Sequence, residues 1–480
     1  MLRTLTVLLA CATALAASAR AQTVHEPVTW YVIAAGDGAR LGHASLEIAL
    51  RGEERHIIEN QRVYLREQGG APVRIVSRTV SVEDASGAVI SIVETLRAGH
   101  YESRVEARIR DGAAHVMRQT PSGSWREIVA LPPGVRFDTG EQLLADWRPD
   151  EQPVLAFDNF SIDAMAIERI VIEAGPRDSK GRRTALRRRY EGSQLRGVAR
   201  LTLDDEGGIA DIVPPMFGAA IHVTTSDRAD ATRRHPPYQV VPNMMTRSPF
   251  RISAAASRSH IRYRLAFRDD IAFALPASGE QRAHLDADAM IVDICGECGD
   301  GLPSDPAALA DALRPTAWLQ SDHPRLREIA APVARLDISD ARKMQMLLER
   351  ARPYIENMDF NGHYSALDTI TRRAGDCTEA AVLLAALGRA AGIPTRVASG
   401  LAYSRASYHG VSNAFLPHSW TLAYVDGRWR SFDLALNEFD STHIAFTIGD
   451  GDARSIAAAG QLASLVRIDS LAEVRASGGN

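Results

Sequence analysis

GDCTEAAVLLAALGRAAGIPTR, residues 375–396, is the stretch that decides how the C-terminal part of this chain folds. After Cys377 it consists largely of Ala, Leu, Val and Glu, most of which are strong helix formers. Gly375-Asp376 supplies an entry turn, and Gly392-Ile393-Pro394 places a glycine and a proline where a helix ends. We therefore predict a helix from Thr378 to Ala391, with Cys377 at or beside its N-terminus.

The position of Cys377 has a chemical consequence. Unpaired backbone N–H groups at a helix N-terminus stabilise a thiolate, so we expect the pKa of Cys377 to be lowered. The same N–H groups could form one side of an oxyanion hole. The alternative is a buried structural cysteine that acts as a small apolar residue. The polar Gly-Asp-Cys-Thr-Glu context favours a functional thiol.

A predicted β-hairpin follows the helix and one intervening strand. Asp426-Gly427 between two alternating strands is a strong signal for a two-residue turn. In that register Trp420 lies opposite Asp433, and His418 is the diagonal neighbour of Asp433 on the same face. Diagonal pairs lie ~7–8 Å apart at the backbone, within reach of a ring nitrogen and a carboxylate. The hairpin therefore predicts an oriented His–Asp pair.

Each residue of this set has a simpler explanation when taken alone. A single histidine at a strand start is usually a surface or satisfied polar residue, and Asp433 could only cap its strand. Together, Cys377, His418 and Asp433 match a nucleophile, its base and the carboxylate that orients the base. We predict these three as the catalytic residues.

The N-terminus has the pattern of a secretory signal peptide over residues 1–21. Leu5 to Ala17 is a short apolar run, and Ala19-Arg20-Ala21 is a small-x-small cleavage site, which predicts a mature chain from Gln22. No later apolar stretch approaches the ~20 residues that span a bilayer. The sequence predicts a periplasmic or secreted protein without a transmembrane segment after the leader.

Three of the four cysteines remain after the leader: Cys295, Cys298 and Cys377. Cys295-Gly296-Glu297-Cys298 could form a local disulfide, supply half of a zinc site, or act as a redox pair. We favour the disulfide, because no second CxxC or close His pair nearby completes four zinc ligands. In an oxidising compartment this pairing leaves Cys377 as the odd, reactive thiol.

The amino-acid composition indicates the class of protein and argues against nucleic acid as a partner. The 480 residues are 45% hydrophobic and 24% charged with a net charge of −4, which is typical of a globular protein. A mildly acidic chain is not expected to bind nucleic acid, because phosphate binding requires a clustered basic surface. The arginine-rich segment 177–190 is accordingly interpreted as a solvated linker or exposed strand.

The hydrophobic periodicity divides the chain into segments. After the leader we predict a β-rich domain at 22–175 and a second β-rich domain, or the second half of the first, at 176–290. A connector with the CxxC motif at 291–331, a catalytic domain at 332–450 and a C-terminal extension at 451–480 follow. The fold class is α+β.

The C-terminal motifs together resemble the bacterial transglutaminase-like domains of the papain-like cysteine enzymes. The motifs are the 375–379 run, Gly392-Ile393-Pro394-Thr395-Arg396, His418-Ser419-Trp420, Asp426-Gly427-Arg428-Trp429, Asp433 and Ser441-Thr442-His443-Ile444. The resemblance implies a helix bearing Cys377 packed on an antiparallel sheet, with Cys377 as nucleophile, His418 as general base and acid, and Asp433 as orienting carboxylate.

The chain departs from this family pattern around the triad. Relatives commonly carry His in place of Ala380, Glu in place of Leu422, and Pro-Thr or Ala-Thr in place of Leu434-Ala435. The triad itself is intact, so these changes affect the surrounding pocket wall. A second oxyanion donor is not evident, and Asn361 and Tyr364 are weak candidates.

The resemblance implies a thiol enzyme that forms a thioester on Cys377 from a peptide or glutamine-type amide of a protein or peptide substrate. Hydrolysis is favoured over crosslinking to an amine, and no cofactor or metal is required. The alternative is a binding or assembly protein of the cell envelope whose transglutaminase-like domain is weakly active or inactive. The changed residues Ala380 and Leu422 motivate that alternative.

Overall fold

The protein has an α+β fold, in which a large antiparallel sheet precedes a smaller helical and sheet-containing part. The computed structural model describes residues 24–25, 27–66, 72–137, 144, 147–204, 208–213, 215–216, 219–239, 245–268, 271–358, 363–406 and 411–474. The predicted leader at 1–21 and Asn361 lie outside these residues. No helix in the described ranges is long and apolar enough to cross a membrane.

The N-terminal sheet contains eighteen strands in the described part of the chain. They are β1 Val24–His25, β2 Thr29–Ala35, β3 Arg40–Arg51, β4 Glu54–Arg66, β5 Val73–Glu83, β6 Val89–Ala98, β7 Tyr101–Arg110, β8 Ala113–Thr120, β9 Gly123–Ala130, β10 Arg136–Phe137, β11 Val154–Ser161, β12 Ala166–Arg177, β13 Arg183–Glu191, β14 Gln194–Leu203, β15 Ile209–Val213, β16 Pro215–Met216, β17 Ala219–Ser226 and β18 Tyr238–Gln239.

Strand pairing in this sheet follows the order of the chain. Strands β2 to β9 form one antiparallel meander, and β11 to β15 form a second. β17 joins them, because it pairs with both β15 and β2. Strand pairing is therefore continuous across residue 175. The arginine-rich segment is not a linker: β13 is hydrogen-bonded on both sides, to β12 and β14, and its arginines alternate with apolar residues such as Leu186.

The remaining strands form two sheets and a short two-stranded pair. They are β19 Thr246–Arg247, β20 Ile261–Phe267, β21 Gln281–Asp286, β22 Ala289–Ile294, β23 Asn357–Met358, β24 Ala374–Gly375, β25 Thr395–Ser404, β26 Ala414–Val425, β27 Arg428–Phe432, β28 Ile444–Gly449 and β29 Val466–Glu473. One sheet has the order β19-β26-β25-β28, with β27 paired to β26, and the other has the order β21-β22-β20-β29. The C-terminal β29 thus completes a sheet begun some 200 residues earlier.

Seven α-helices lie in the described residues, together with 3-10 turns at Ala256–Arg258 and Arg352–Tyr354. The helices are α1 Arg228–Ala231, α2 Pro306–Asp311, α3 Pro324–Ala334, α4 Asp340–Ala351, α5 Ala366–Arg372, α6 Cys377–Ala390 and α7 Ala453–Ser464. The predicted helix of 378–391 is thus α6, and it begins at Cys377 itself.

Helix α6 is the centre of the C-terminal core. Residues 379–389 are all buried, and they pack among apolar side chains of α3, α4, α5 and β25–β27. Thr421 of β26 donates its hydroxyl proton to the Ala381 carbonyl at 2.9 Å, which fixes the helix against the sheet. The helix ends at Ala390, and Gly392 just beyond it has a φ of 84°, the left-handed conformation that glycine adopts without strain.

The N-terminal sheet contacts the C-terminal part near α5. Tyr101 and Thr120 both donate hydrogen bonds to the buried Asp368 carboxylate, at 3.3 and 2.8 Å. The Arg118 guanidinium lies 4.0 Å from the ring centroid of Trp318, a favourable cation–π geometry. The large sheet is therefore attached through buried polar contacts, close to the segment that leads into α6.

Candidate active site

Cys377 occupies the first turn of α6. Asp376 caps the helix by accepting the Thr378 backbone N–H at 2.7 Å, and Glu379 accepts the Asp376 backbone N–H at 2.9 Å. These two bonds form a capping box, which satisfies backbone donors that the helix itself leaves unpaired. The local sequence therefore fixes the nucleophile candidate at a helix N-terminus, as the composition of the segment predicts.

The pKa of Cys377 differs from the expectation of a lowered value. Burial raises the pKa of the thiol well above its usual value, and the nearby Asp376 carboxylate raises it further. A hydrogen bond from the Ser419 backbone acts in the opposite direction and does not reverse the shift. The raised pKa favours a neutral thiol at rest, so a base must remove its proton during attack.

Asp376 and Glu379 form an acidic pair next to Cys377, in which Glu379 is fully buried and Asp376 is partly buried. Burial raises the pKa of Asp376 well above its usual value, and the neighbouring Glu379 carboxylate raises it further. Glu379 also accepts the Tyr364 backbone N–H at 3.0 Å. The Tyr364 amide, one of the two predicted oxyanion candidates, is thus directed at Glu379, while the Tyr364 ring packs edge-on to Tyr101 at 4.7 Å.

His418 and Asp433 are in direct contact. The β26–β27 hairpin has the register that the sequence predicts, with Val425 opposite Arg428. His418 Nε2 lies 2.6 Å from Asp433 Oδ2, and both side chains are buried. This leaves Nδ1 of His418 as the ring nitrogen available to a thiol. The Ser419 backbone bond to Cys377 places the thiol beside the strand that bears His418.

Asp433 is held as a carboxylate. Its Oδ1 accepts the backbone N–H groups of Ala435 and Leu436, at 2.8 and 2.9 Å. Burial alone raises the pKa of Asp433, but the charges and hydrogen bonds of His418 and His443 outweigh it and hold that pKa far below its usual value. A buried anion in this position can orient the imidazole of His418 and stabilise its protonated form.

The ring of His418 is also held by packing. It stacks on Trp420 with centroids 6.2 Å apart and an angle of 18° between the planes. The Trp420 indole donates to the Ser431 hydroxyl at 3.2 Å. Ser431 in turn donates both its backbone N–H and its hydroxyl proton to the buried Glu280 carboxylate. Glu280, in the loop before β21, therefore stabilises the position of the hairpin.

His443 is a site residue that sequence reasoning did not assign. Its Nε2 lies 3.0 Å from Asp433 Oδ2, the same oxygen that contacts His418, and its Nδ1 lies 3.2 Å from Asp440 Oδ1. Burial lowers the pKa of His443, but the hydrogen bonds to Asp433 and Asp440 raise it to about 9. The Ser441-Thr442-His443-Ile444 motif was visible in the sequence, but nothing local indicates that His443 reaches Asp433.

His418, Asp433 and His443 offer three ligand atoms within 4.8 Å of one another, which is a spacing that a metal ion could use. However, both Nε2 atoms approach a single carboxylate oxygen at hydrogen-bond distances. We therefore assign these contacts as hydrogen bonds and not as metal ligation. The predicted disulfide is not formed: within the described residues, Cys295 and Cys298 are free thiols. Cys298 donates a hydrogen bond to the Glu280 carbonyl.

Comparison with known protein families gives one match, and it covers the region of the candidate site. A sequence model described as the transglutaminase-like superfamily matches residues 327–434, which include Cys377, His418 and Asp433. No curated protein matches the chain.

Several solved structures are similar. A β-barrel-like protein of a domain of unknown function from Brucella abortus is 14% identical, covers 42% of this chain and 95% of its own, and has a TM-score of 0.33. A candidate cysteine protease from Cytophaga hutchinsonii is 18% identical, with 45% and 84% covered and a TM-score of 0.28. The periplasmic domain of TgpA from Pseudomonas aeruginosa is 15% identical, with 48% and 81% covered and a TM-score of 0.29. On the family match and its motifs, the chain carries a transglutaminase-like domain, which spans residues 327–434.

Proposed function

We propose that this protein is a thiol-dependent amide hydrolase with Cys377 as nucleophile, His418 as general base and acid, and Asp433 as the orienting carboxylate. The observation that carries the proposal is the buried 2.6 Å contact between His418 and Asp433 beside the helix N-terminus that bears Cys377. The leader pattern supports action outside the cytoplasm, and the substrate is a protein or peptide.

The acylation step follows from the neutral state of the thiol. His418 Nδ1 takes the proton from Cys377 as the sulfur attacks the amide carbonyl carbon, and a tetrahedral oxyanion forms. The backbone N–H of Cys377, at the N-terminus of α6, is the proposed donor to this oxyanion, because the Thr378 N–H is already bonded to Asp376. The imidazolium, stabilised by Asp433, then protonates the leaving nitrogen. The C–N bond breaks, the amine departs, and a thioester remains on Cys377.

Deacylation completes the cycle with the same base. Water attacks the thioester carbonyl while His418 takes one of its protons. The C–S bond then breaks, a carboxylic acid leaves, and the proton returns to the Cys377 sulfur. Water at its bulk concentration requires no binding site, so hydrolysis is the favoured outcome. A primary amine that reaches the thioester first would give a crosslink instead.

A second function is favoured by a specific observation. Positions where relatives commonly carry His and Glu hold Ala380 and Leu422, and both side chains are buried among apolar groups. Together with the raised pKa of the Cys377 thiol, this supports a binding or assembly protein of the cell envelope with weak or no activity.

One experiment separates these outcomes. The protein is incubated with casein and a fluorescent primary amine, and wild type is compared with Cys377→Ala. Peptide release that Cys377→Ala abolishes supports hydrolysis, whereas Cys377-dependent amine incorporation supports crosslinking. A Cys295→Ser/Cys298→Ser variant is the matched control, because it removes the other two described thiols and is expected to retain activity. Equal results for wild type and Cys377→Ala would contradict the enzyme proposal and favour the binding protein.

A further inference from the structure

The structure contains a second histidine on the orienting carboxylate. Asp433 Oδ2 is within hydrogen-bond distance of both His418 and His443, at 2.6 and 3.0 Å, and its other oxygen accepts two backbone N–H groups. All of these partners are donors when Asp433 is ionised. Both imidazoles therefore present a protonated Nε2 to one buried oxygen.

The other ring nitrogen of His443 contacts three groups of Asp440. Nδ1 lies 3.0 Å from the Asp440 carbonyl oxygen and 3.2 Å from Asp440 Oδ1, which are acceptors, and 3.3 Å from the Asp440 backbone nitrogen, which is a donor. A proton on Nδ1 satisfies the two nearer acceptors, and a proton on Nε2 satisfies Asp433, so these closer contacts fit an imidazolium. The rise in the pKa of His443 to about 9 agrees with this state.

The turn that carries His443 is fixed from outside the active site. Ser441 donates its backbone N–H to the Ser257 carbonyl at 2.7 Å, and the Tyr263 hydroxyl donates to the Ser441 carbonyl at 2.8 Å. The His443 ring packs edge-on to Trp420 with centroids 5.1 Å apart. Because the ring cannot move without breaking these contacts, it is a rigid support for Asp433.

We propose that His443, held by Asp440, is a positioning residue that fixes the Asp433 carboxylate and offsets its charge, so that this carboxylate orients His418 without its full charge acting on the His418 imidazole. This inference rests on the proposed function for its catalytic meaning. The arrangement differs from a simple triad, in which the full charge of the carboxylate acts on a single imidazole and raises its pKa.

The effect on His418 has a definite sign. The His418 and His443 ring centroids are 5.5 Å apart, so a positive charge on His443 disfavours a second positive charge on His418. Four titratable groups face His443 from its own turn and from the strands and loop packed against it: Asp433, Asp440, His418 and Glu280. Removal of the His443 charge therefore leaves Asp433 to act on His418 alone, which favours the protonated form of the His418 ring.

Histidine-labelled protein followed by NMR tests this without a substrate. In the Cys377→Ala background, His443→Gln is expected to raise the titration midpoint of His418 by about 1–2 pH units. Asp440→Asn changes a partly exposed side chain and is expected to lower the titration midpoint of His443. This variant keeps the test valid if His443→Gln does not fold. His260→Gln is the matched control, because it breaks a His–Asp contact of 2.7 Å with Asp293 in the neighbouring sheet. An unchanged His418 midpoint in His443→Gln would overturn the proposal.

Activity gives a second readout. The acid limb of the pH profile for amide hydrolysis is expected to move to higher pH in His443→Gln, with kcat reduced and KM little changed. If Cys377→Ala is as active as wild type while the NMR shift is observed, the proposed function fails and the positioning role stands. Titration with zinc chloride tests whether His418, Asp433 and His443 bind a metal ion instead. If wild type binds one equivalent of zinc tightly and His443→Gln does not, the hydrogen-bond assignment is overturned.

Discussion

Asp433→Asn is the substitution whose outcome the structure defines most closely. The Asp433 carboxylate faces four donors, two imidazole Nε2–H groups on Oδ2 and two backbone N–H groups on Oδ1. An amide offers one oxygen and one NH2 group, so in either orientation the NH2 group points at two donors. Two buried donors thus lose their acceptor, and the charge that stabilises the His418 imidazolium is removed.

The magnitude follows from these losses. Loss of a buried charge-assisted partner costs about 3–5 kcal/mol, so we expect the free energy of unfolding of Asp433→Asn to fall by about that amount. Because His418 also loses its orientation, we expect kcat for amide hydrolysis to fall on the order of 10³- to 10⁴-fold. Urea unfolding near neutral pH measures the first effect, and the rate of peptide release from casein measures the second.

Asp426→Asn is the matched control for this prediction. Asp426 makes the turn of the same hairpin, is largely exposed, and has a φ of 52°, a conformation that asparagine tolerates. It should unfold and react like wild type. An Asp433→Asn protein that loses less than about 1 kcal/mol, or that keeps its rate within about tenfold of wild type, would refute the reasoning.

Three other changes test the surroundings of the site. The pKa of His443 is raised to about 9, so its contribution to stability is full below about pH 6.5 and is lost as pH rises through 9. Urea unfolding should show the free energy of unfolding falling by up to about 3 kcal/mol across that window. The His443→Gln variant should lack this pH-dependent decrease. Asp376→Asn keeps the helix cap but removes a carboxylate that raises the pKa of Cys377, so alkylation by iodoacetamide near neutral pH should be faster, and an unchanged rate would contradict this cause. Gly388→Ala would place a Cβ 2.6 Å from a threonine methyl group and should destabilise by about 1–3 kcal/mol, whereas Gly460→Ala, with open space around it, should be neutral or stabilising in the same denaturation assay.

Local sequence signals specify the elements that carry the site. Helix α6 begins and ends where the Asp376 cap and Gly392 predict, because capping and propensity act within one or two turns. The β26–β27 register follows from Asp426-Gly427, where both residues adopt the positive φ of a two-residue turn. Once that register is set, His418 and Asp433 share a face, so their contact was predictable without the tertiary fold.

The predictions that fail or stay open depend on burial and on distant chain segments. The composition of 375–379 predicts a lowered pKa for Cys377, but in the folded protein partial burial and the neighbouring Asp376 carboxylate raise that pKa. For the arginine-rich segment the sequence left a linker and an exposed strand open, and the strand is confirmed as β13, because strands on both sides satisfy its backbone.

The sequence by itself determined the helix that bears Cys377, the His–Asp hairpin and the α+β class, because each depends on periodicity, caps and turns over a few residues. The tertiary structure alone decided that His443 shares the carboxylate of Asp433, that Asp368 anchors the large sheet, and that β29 joins a sheet begun at β20. These contacts link residues whose side chains meet only after the core has formed, and the protonation states of the site depend on that same burial.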